Sequence, residues 1–545
     1  MTATAQPATT HPGRTATGAG VAAARLAVRQ VRRTALVVLA LTVGMSTLVA
    51  TTYASTVGGD GLDTGSLAAL ARNPAVRTLF GEPVALDTAG GFTAWRTGTV
   101  LAVLLSVWGL LATTRITRGE EEAGRWDLLL AGRLTPAGVL GRHLAVLAGT
   151  LAGTGIALAA ALTAAGTPAR GAALHATGLA LVGAYAVAAA ALAAQVFPTR
   201  AGATGGALAL LGVALLARMV GDGVAPLGWL RWLPPYGPLA LTRPYQDDRW
   251  APLAVVAVTT VALAGGALAL AGRRDVRDGL LRPPAGRPPR RWLLGSVEAF
   301  AVRRVLRPLA GWSAGIGAYF LLIGLLADSM TAFLAENSRF ADLAAQAGFT
   351  GLGTVRGYAA TLFALLAVPV GAFAAVRLAA FAAAETGGRL TLLQAGLSGR
   401  TRLLAAEAVT TAVGVAVLVT VAAVATWLGA VTVGADLPLA AALAGTWNVV
   451  PLVLLGLGAA VLALGLGTRA VAALGMLPTA GGFLLKVVAD SLTAPGWVGR
   501  LSPYAHLAAV PEVAPNWPAA AVMLALAGVA LAAGAWGYRR RDLRP

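Results

Sequence analysis

The sequence predicts an all-α, polytopic membrane protein of about twelve transmembrane helices, arranged as two parallel, pseudo-symmetric six-helix halves. Three observations carry that expectation. Of the 545 residues, 57% are apolar and 12% are charged, about half the charged fraction of a soluble domain, so water is not the main solvent of this chain. Roughly a dozen apolar runs approach the ~20 residues needed to cross a bilayer, with short polar segments between them, and this excludes a single buried core. The second half also repeats residues of the first at a nearly constant spacing.

The formal charge of +19 could suggest nucleic acid. The arginines, however, stand in short clusters beside apolar runs instead of forming a basic surface interleaved with aromatics, so no nucleic-acid partner is expected. They read as topology signals. Most of the 42 basic residues fall on one side of the predicted spans, which marks that side, and both termini, as cytoplasmic. No cysteine is present, so disulfides, thiolate zinc sites and thiol catalysis are excluded. Lys486 is the only lysine; heavy use of Ala, Gly and Arg points to a GC-rich bacterial genome and a bacterial inner membrane.

Residues 1–33 read as a disordered, basic cytoplasmic segment, with Arg25, Arg29, Arg32 and Arg33 leading into the first apolar run. That run exceeds the ~7–15 residues of a signal-peptide core, so it is expected to remain as the first helix. The first half, 34–272, offers spans near 34–56, 97–116, 143–166, 172–196, 202–222 and 251–272. Residues 273–307, dense in Arg and Pro, read as a cytoplasmic linker. The second half, 308–545, offers spans near 309–330, 357–381, 406–431, 440–466, 470–490 and 518–538. Six crossings per half give both halves one orientation and an axis along the membrane normal, which places a path between them.

The repeat has several checkpoints. Glu121, Gly124, Arg125, Leu129, Ala131 and Gly132 recur 264 residues later as Glu385, Gly388, Arg389, Leu393, Ala395 and Gly396. Thr199, Arg200 and Ala201 correspond to Thr468, Arg469 and Ala470. Arg218, Asp222, Gly228, Trp229, Pro235 and Tyr236 recur at a spacing of 268 as Lys486, Asp490, Gly496, Trp497, Pro503 and Tyr504. Arg273, Arg274 and Asp275 return as Arg540, Arg541 and Asp542.

Three groups of residues invite a functional reading. The loop at 117–136 has a helical pattern, with Glu121 and Arg125 at i,i+4 and an apolar stripe of Trp126, Leu129 and Leu130. Glu385 and Arg389 repeat that spacing. Such a loop either lies on the bilayer surface or docks into a partner subunit, and the acids Glu120, Glu121 and Glu122 favour a protein over an anionic membrane. Arg218 with Asp222, and Lys486 with Asp490, are i,i+4 pairs near the outer ends of helices; each is either a structural salt bridge or part of an outer gate touching a polar group of the cargo. The segments beginning at Gly228 and Gly496 carry Trp229, Pro235, Tyr236, Trp497, Pro503 and Tyr504, too short and Pro-rich to span, which suits re-entrant or interfacial segments on the outer face.

On these motifs the sequence resembles the two-repeat permeases of the ABC-2 type (type V exporter-like), particularly the actinobacterial exporters of polyketide antibiotics such as tetronasin. The resemblance covers nearly the whole chain, and only Glu385 survives of the three acids in the second copy. It implies that Glu120, Glu121, Glu122, Gly124, Arg125, Glu385, Gly388 and Arg389 couple the chain to a homodimer of separate ATPase subunits, one permease to two ATPases. It also implies export of an amphipathic small molecule, an antibiotic, drug or lipid-like compound.

The residues independently place the ATPase elsewhere, because a phosphate loop needs Gly-Lys-Ser or Gly-Lys-Thr and Lys486 is followed by Val487. ATP and Mg are therefore expected on the partner, with no cofactor, catalytic residue or metal on this chain. The histidines His11, His143, His175 and His506 are scattered and read as isolated surface or interface residues. No Gly-x-Ser-x-Gly nucleophile motif occurs, so an enzyme acting on lipid is disfavoured. The rival expectation is a proton-coupled twelve-helix secondary drug transporter, which would need ionisable groups deep in its helices.

Overall fold

The structure, a computed structural model, describes residues 16–53, 77–78, 81–281, 292–336, 354–390, 399–468, 470–491 and 495–541. No strand occurs among them, and eleven of their helices are long and apolar enough to cross a membrane. The protein is an all-α polytopic membrane protein. The chain divides into two compact units, Met1–Arg287 and Pro288–Pro545.

Unit 1 contains α1 (Ala16–Thr51), α2 (Ala89–Glu122), α3 (Arg125–Leu130), α4 (Pro136–Ala164), α5 (Ala169–Val196), α6 (Arg200–Gly223), α7 (Tyr236–Leu241) and α8 (Ala251–Ala271). α5 is its centre, the most buried candidate span among the described residues, and α2, α4, α6 and α8 pack around it. Its composition explains the position. Alanines such as Ala186, Ala190 and Ala194 and glycines such as Gly183 let neighbouring backbones come close, as membrane helices without a hydrophobic driving force between them require. A methyl group on Gly109 of α2 would stand 3.2 Å from the Gly183 carbonyl oxygen of α5.

Two helices extend beyond their apolar runs. The disorder expected over residues 1–33 gives way to helix from Ala16. Ala23, Ala27 and Val31, at intervals of one helical turn, are buried and continue the stripe that α1 lays on its neighbours, so basic residues on its other face do not end it. α2 outruns the expected 97–116 at both ends. At its start the Thr88 hydroxyl accepts a 3.0 Å hydrogen bond from the Gly91 amide, a favourable N-cap; towards its end Arg115–Gly119 forms a π turn before Glu120–Glu122.

Unit 2 contains α9 (Val297–Leu325), α10 (Ala327–Glu336), α11 (Val355–Thr386), α12 (Arg400–Thr432), α13 (Leu439–Gly465), α14 (Val471–Met476), α15 (Gly482–Ser491), α16 (Gly496–Arg500) and α17 (Trp517–Arg540). α9 pairs with α12 and α13 with α17, while α11 packs on α13 and α14. Both pairs are glycine contacts. Gly324 meets the Thr426 carbonyl and Gly429 the Leu321 carbonyl; Gly465 and Gly534 meet backbone to backbone. The span expected at 470–490 runs through α14, a π turn at Leu477–Gly481 and α15 without a gap, and its apolar stretch, Val471–Lys486, is shorter than the eleven candidate spans. Pro478 has no amide hydrogen to donate, and such a turn absorbs the missing bond.

The segments expected to be re-entrant are short helical turns. Ala225–Trp232 is a 3₁₀ helix leading to α7, and α16 leads to the 3₁₀ turn Pro503–His506. Trp229 and Trp497 are exposed while Tyr236 is buried. Several positions named above lie outside the described residues: the linker over 282–291, Leu393, Ala395 and Gly396, Arg469, Asp542, and the side chain of Asp490, as do residues 54–76 and 79–80 between α1 and α2.

Candidate functional site

The end of α2 is an ionic clamp. The i,i+4 spacing suggested that Glu121 pairs with Arg125; instead Arg125 bonds Glu120, and Glu121 turns inward. Its carboxylate, 2% exposed, receives two hydrogen bonds from the Arg274 guanidinium at 2.6 and 2.8 Å, one from the Arg277 amide at 2.7 Å, and an ion pair from Arg118 at 3.2 Å. Arg118 also donates to the carbonyls of Ala194 and Asp278, and Arg274 donates to Gln195 of α5. The amides of Leu280 and Leu281 then bond the carbonyls of Gln195 and Val196. The first residues of the expected linker, 273–281, are thus fastened to α2 and α5. A buried carboxylate is stable only with such partners.

The remaining residues of the loop divide into anchored and exposed. Glu122 accepts from the Arg200 amide at 2.6 Å and caps α6. Gly124 ends the α2 extension at φ 71°, a left-handed conformation natural to glycine. Trp126 is buried against Val139 and Leu140 of α4 and Ala267 and Ala271 of α8, so the apolar stripe packs on the protein itself. Arg125, Asp127 and Leu128, the last 80% exposed, form the outward face.

Unit 2 repeats the clamp. Glu385 of α11 accepts from Tyr538 at 2.9 Å and from Arg541, both at the end of α17. Gly388 has φ 70°, as Gly124 does. Arg389 follows it in the turn that closes α11.

A second buried cluster in unit 2 escaped the sequence reading. Glu407 of α12 pairs with Arg377 of α11 and, at 3.3 Å, with Arg304 of α9. The signal was there, since Arg377 and Glu407 are lone opposite charges within apolar runs on successive helices. His143 sits 264 residues before Glu407 on α4, buried beside Trp126 with ring centroids 6.1 Å apart. His143 and His175, 1% and 3% exposed, overturn the surface half of the expectation that the histidines are surface or interface residues; each lies on a helix face that packs inward.

At the opposite end of α2 lies the expected Arg218–Asp222 pair, at 2.6 Å and buried. It belongs to a larger network. Arg231 bridges Asp222 at 3.0 Å and Glu82 at 2.8 Å, and Arg243 approaches Glu82 at 3.9 Å. Burial works against the charged form of Glu82, but the Arg231 hydrogen bond and the charges of Arg231, Arg243 and Arg77 outweigh it and hold its carboxyl below the usual range. Lys486, the counterpart of Arg218, is half-buried on α15. A cavity of about 70 Å³ opens beside the network.

Two comparisons bear on this arrangement. Residues 294–539, all within unit 2, match the family model described as the C-terminal domain of the multidrug efflux system permease Rv1217c. Over 501 residues the chain is 30% identical to the multidrug efflux system permease protein Rv1217c of Mycobacterium tuberculosis, covering 88% of this chain and 86% of that one. The chain belongs to that permease family. At 88% of this chain, the match is longer than either unit and so reaches into both.

Proposed function

We propose that this chain is the membrane-spanning permease subunit of an ATP-driven exporter that moves an amphipathic small molecule, a drug, antibiotic or lipid-like compound, out of a bacterial cell. The observation that carries the reading is the recurrence of one clamp, glutamate on the second long helix of a unit to arginine after its last, with a left-handed glycine three residues beyond the glutamate. A loop that transmits force from a partner must be fixed to the helices it moves. Glu121 and Glu385 supply that fixation, and Arg125, Asp127 and Leu128 supply an outward surface. The name of the M. tuberculosis relative, a multidrug efflux permease, supports drug export.

In this reading the clamp ends of both units and both termini face the cytoplasm. A homodimer of a separate ATPase binds there and supplies hydrolysis of Mg-bound ATP, and this chain supplies the helices that move. Among the described residues, the acid the proton-driven alternative would have to use is Glu407, within an apolar run, and two guanidinium groups already hold it. The test is co-expression with candidate ATPase subunits, followed by purification and reconstitution in vesicles. Vanadate-sensitive drug uptake into inside-out vesicles is expected. Uptake driven by a proton gradient without ATP would refute the reading.

A further inference from the structure

The cavity beside Arg218 lies wholly within unit 1, and its walls include Glu82, Trp95, His175, Arg218, Tyr236 and Arg243. Three features separate it from a packing void. Among the described residues, cations outnumber acids: Arg218 and Arg231 share Asp222, Arg231 and Arg243 share Glu82, Arg77 adds its field to both acids, and Asp247 is divided between Arg243 and the exposed Arg249. Nitrogen atoms lack partners: Nε2 of His175, a residue 3% exposed, and Nε of Arg243 are buried without a hydrogen bond. Strain is concentrated: of six non-glycine residues with left-handed backbone among those described, Ala85, Arg243, Tyr245 and Asp248 stand in the two loops at this end.

Each feature has a physical meaning. A cleft lined by more cations than acids focuses a positive field and draws in a negative group. Unpartnered buried nitrogens are rare in native proteins and mark a missing partner. Left-handed residues persist where the surroundings fix them, characteristically at ligand clamps. Here the Tyr245 ring fills the space that Gly90 and Gly171 leave open, and the Tyr245 amide bonds Asp248 at 2.8 Å, so the loop bearing Arg243 is held in place.

We propose that this cavity binds an anionic group, a carboxylate or a phosphate ester, through Arg243, Arg218 and His175. Its volume is well below the ~300 Å³ at which pockets begin to enclose a drug-sized molecule, so it takes the charged head alone and leaves any apolar tail outside. Under the export reading, on which this choice of ligand rests, the head belongs to the cargo; an anionic lipid carries the same chemistry.

The experiment uses the full chain in phosphatidylcholine nanodiscs, titrated with dansyl-labelled dodecanoate and with its methyl ester. The acid is expected to bind saturably and at least tenfold tighter than the ester. Arg243→Gln and His175→Leu each weaken the acid at least tenfold while the melting temperature holds. Equal binding of acid and ester overturns the proposal, and that comparison needs no variant; so does undiminished binding in both folded variants. Competition by added phosphatidylglycerol names the lipid as occupant, lack of competition names the cargo, and either supports the site. A chain that prefers the acid yet exports nothing refutes the export reading and leaves the anion site standing.

Discussion

Glu121 and Arg274, 153 residues apart, are joined by two hydrogen bonds of 2.6 and 2.8 Å. Glu385 and Arg541, 156 apart, make the corresponding contact in unit 2. The pairings differ in burial: the Arg274 side chain is 7% exposed and that of Arg541 is 23%. Removing one member of a fully buried pair strands the other, at a cost of about 3–5 kcal/mol. Glu121→Ala is therefore expected to cost unit 1 about that much in chemical denaturation, because Arg118 and Arg274 both lose their counter-charge. Glu385→Ala should cost less, about 1.5–3 kcal/mol for lost charged hydrogen bonds.

The glycines that follow these glutamates give a second prediction. Left-handed backbone costs a residue with a Cβ about 1–2 kcal/mol. Gly124→Ala adds a steric problem, since its methyl group would stand 2.9 Å from the Arg277 guanidinium. Gly124→Ala is expected to lower the melting temperature and to reduce ATP-coupled transport while export-independent ligand binding stays normal. Transport at the wild-type rate in a destabilised Gly124→Ala protein would dissociate this turn from coupling.

Acid should act on unit 1 through Glu82. Its folded-state carboxyl lies below the ordinary value of 4.5, so the stabilisation is fully present above that value and is lost as pH falls through the lower folded one. Melting temperature is expected to be insensitive to this group from pH 7 to 5 and to fall in more acid solution. Glu82→Gln should flatten that acid limb, read by scanning fluorimetry across a pH series.

Glu407 tests the rival mechanism. Glu407→Gln removes the only acid of its cluster and leaves Arg304 and Arg377 facing one another, so a stability loss of about 3–5 kcal/mol is expected. Glu407→Leu combined with Arg377→Met should recover part of it. A recovered double variant that still exports on ATP shows that no proton passes through this position; its inactivity in ATP-driven vesicles, with normal folding, would point the other way.

The membrane class was legible because a run such as Thr34–Ala50 needs only length and composition to be recognised, and the repeat was legible because Glu121 and Glu385 keep their neighbours. The ionic partners were not. Local spacing offered Arg125 to Glu121, whereas the partner that wins, Arg274, is brought near by the packing of α8 on α5. The repeat held a clue to it, since Arg274 and Arg541 match in the same alignment that matches the two glutamates. Helix ends were misplaced where burial continues past the apolar run, as at Ala23 and Ala27. The π turn at Leu477–Gly481 was signalled by Pro478 alone, and a proline inside an apolar run can also be accommodated in regular helix, as Pro369 is within α11.

The glycine contact of α13 with α17 has a mechanical corollary. Where Gly465 and Gly534 touch, neither an acyl chain nor a water molecule fits, so these two helices travel as one plank. Bending in that part of unit 2 is then expected at the neighbouring π turn at Leu477–Gly481, where the regular ladder changes register. Under the proposed ATP-driven reading, a stroke reaching Arg541 from Glu385 would enter this pair at one end and pass along it.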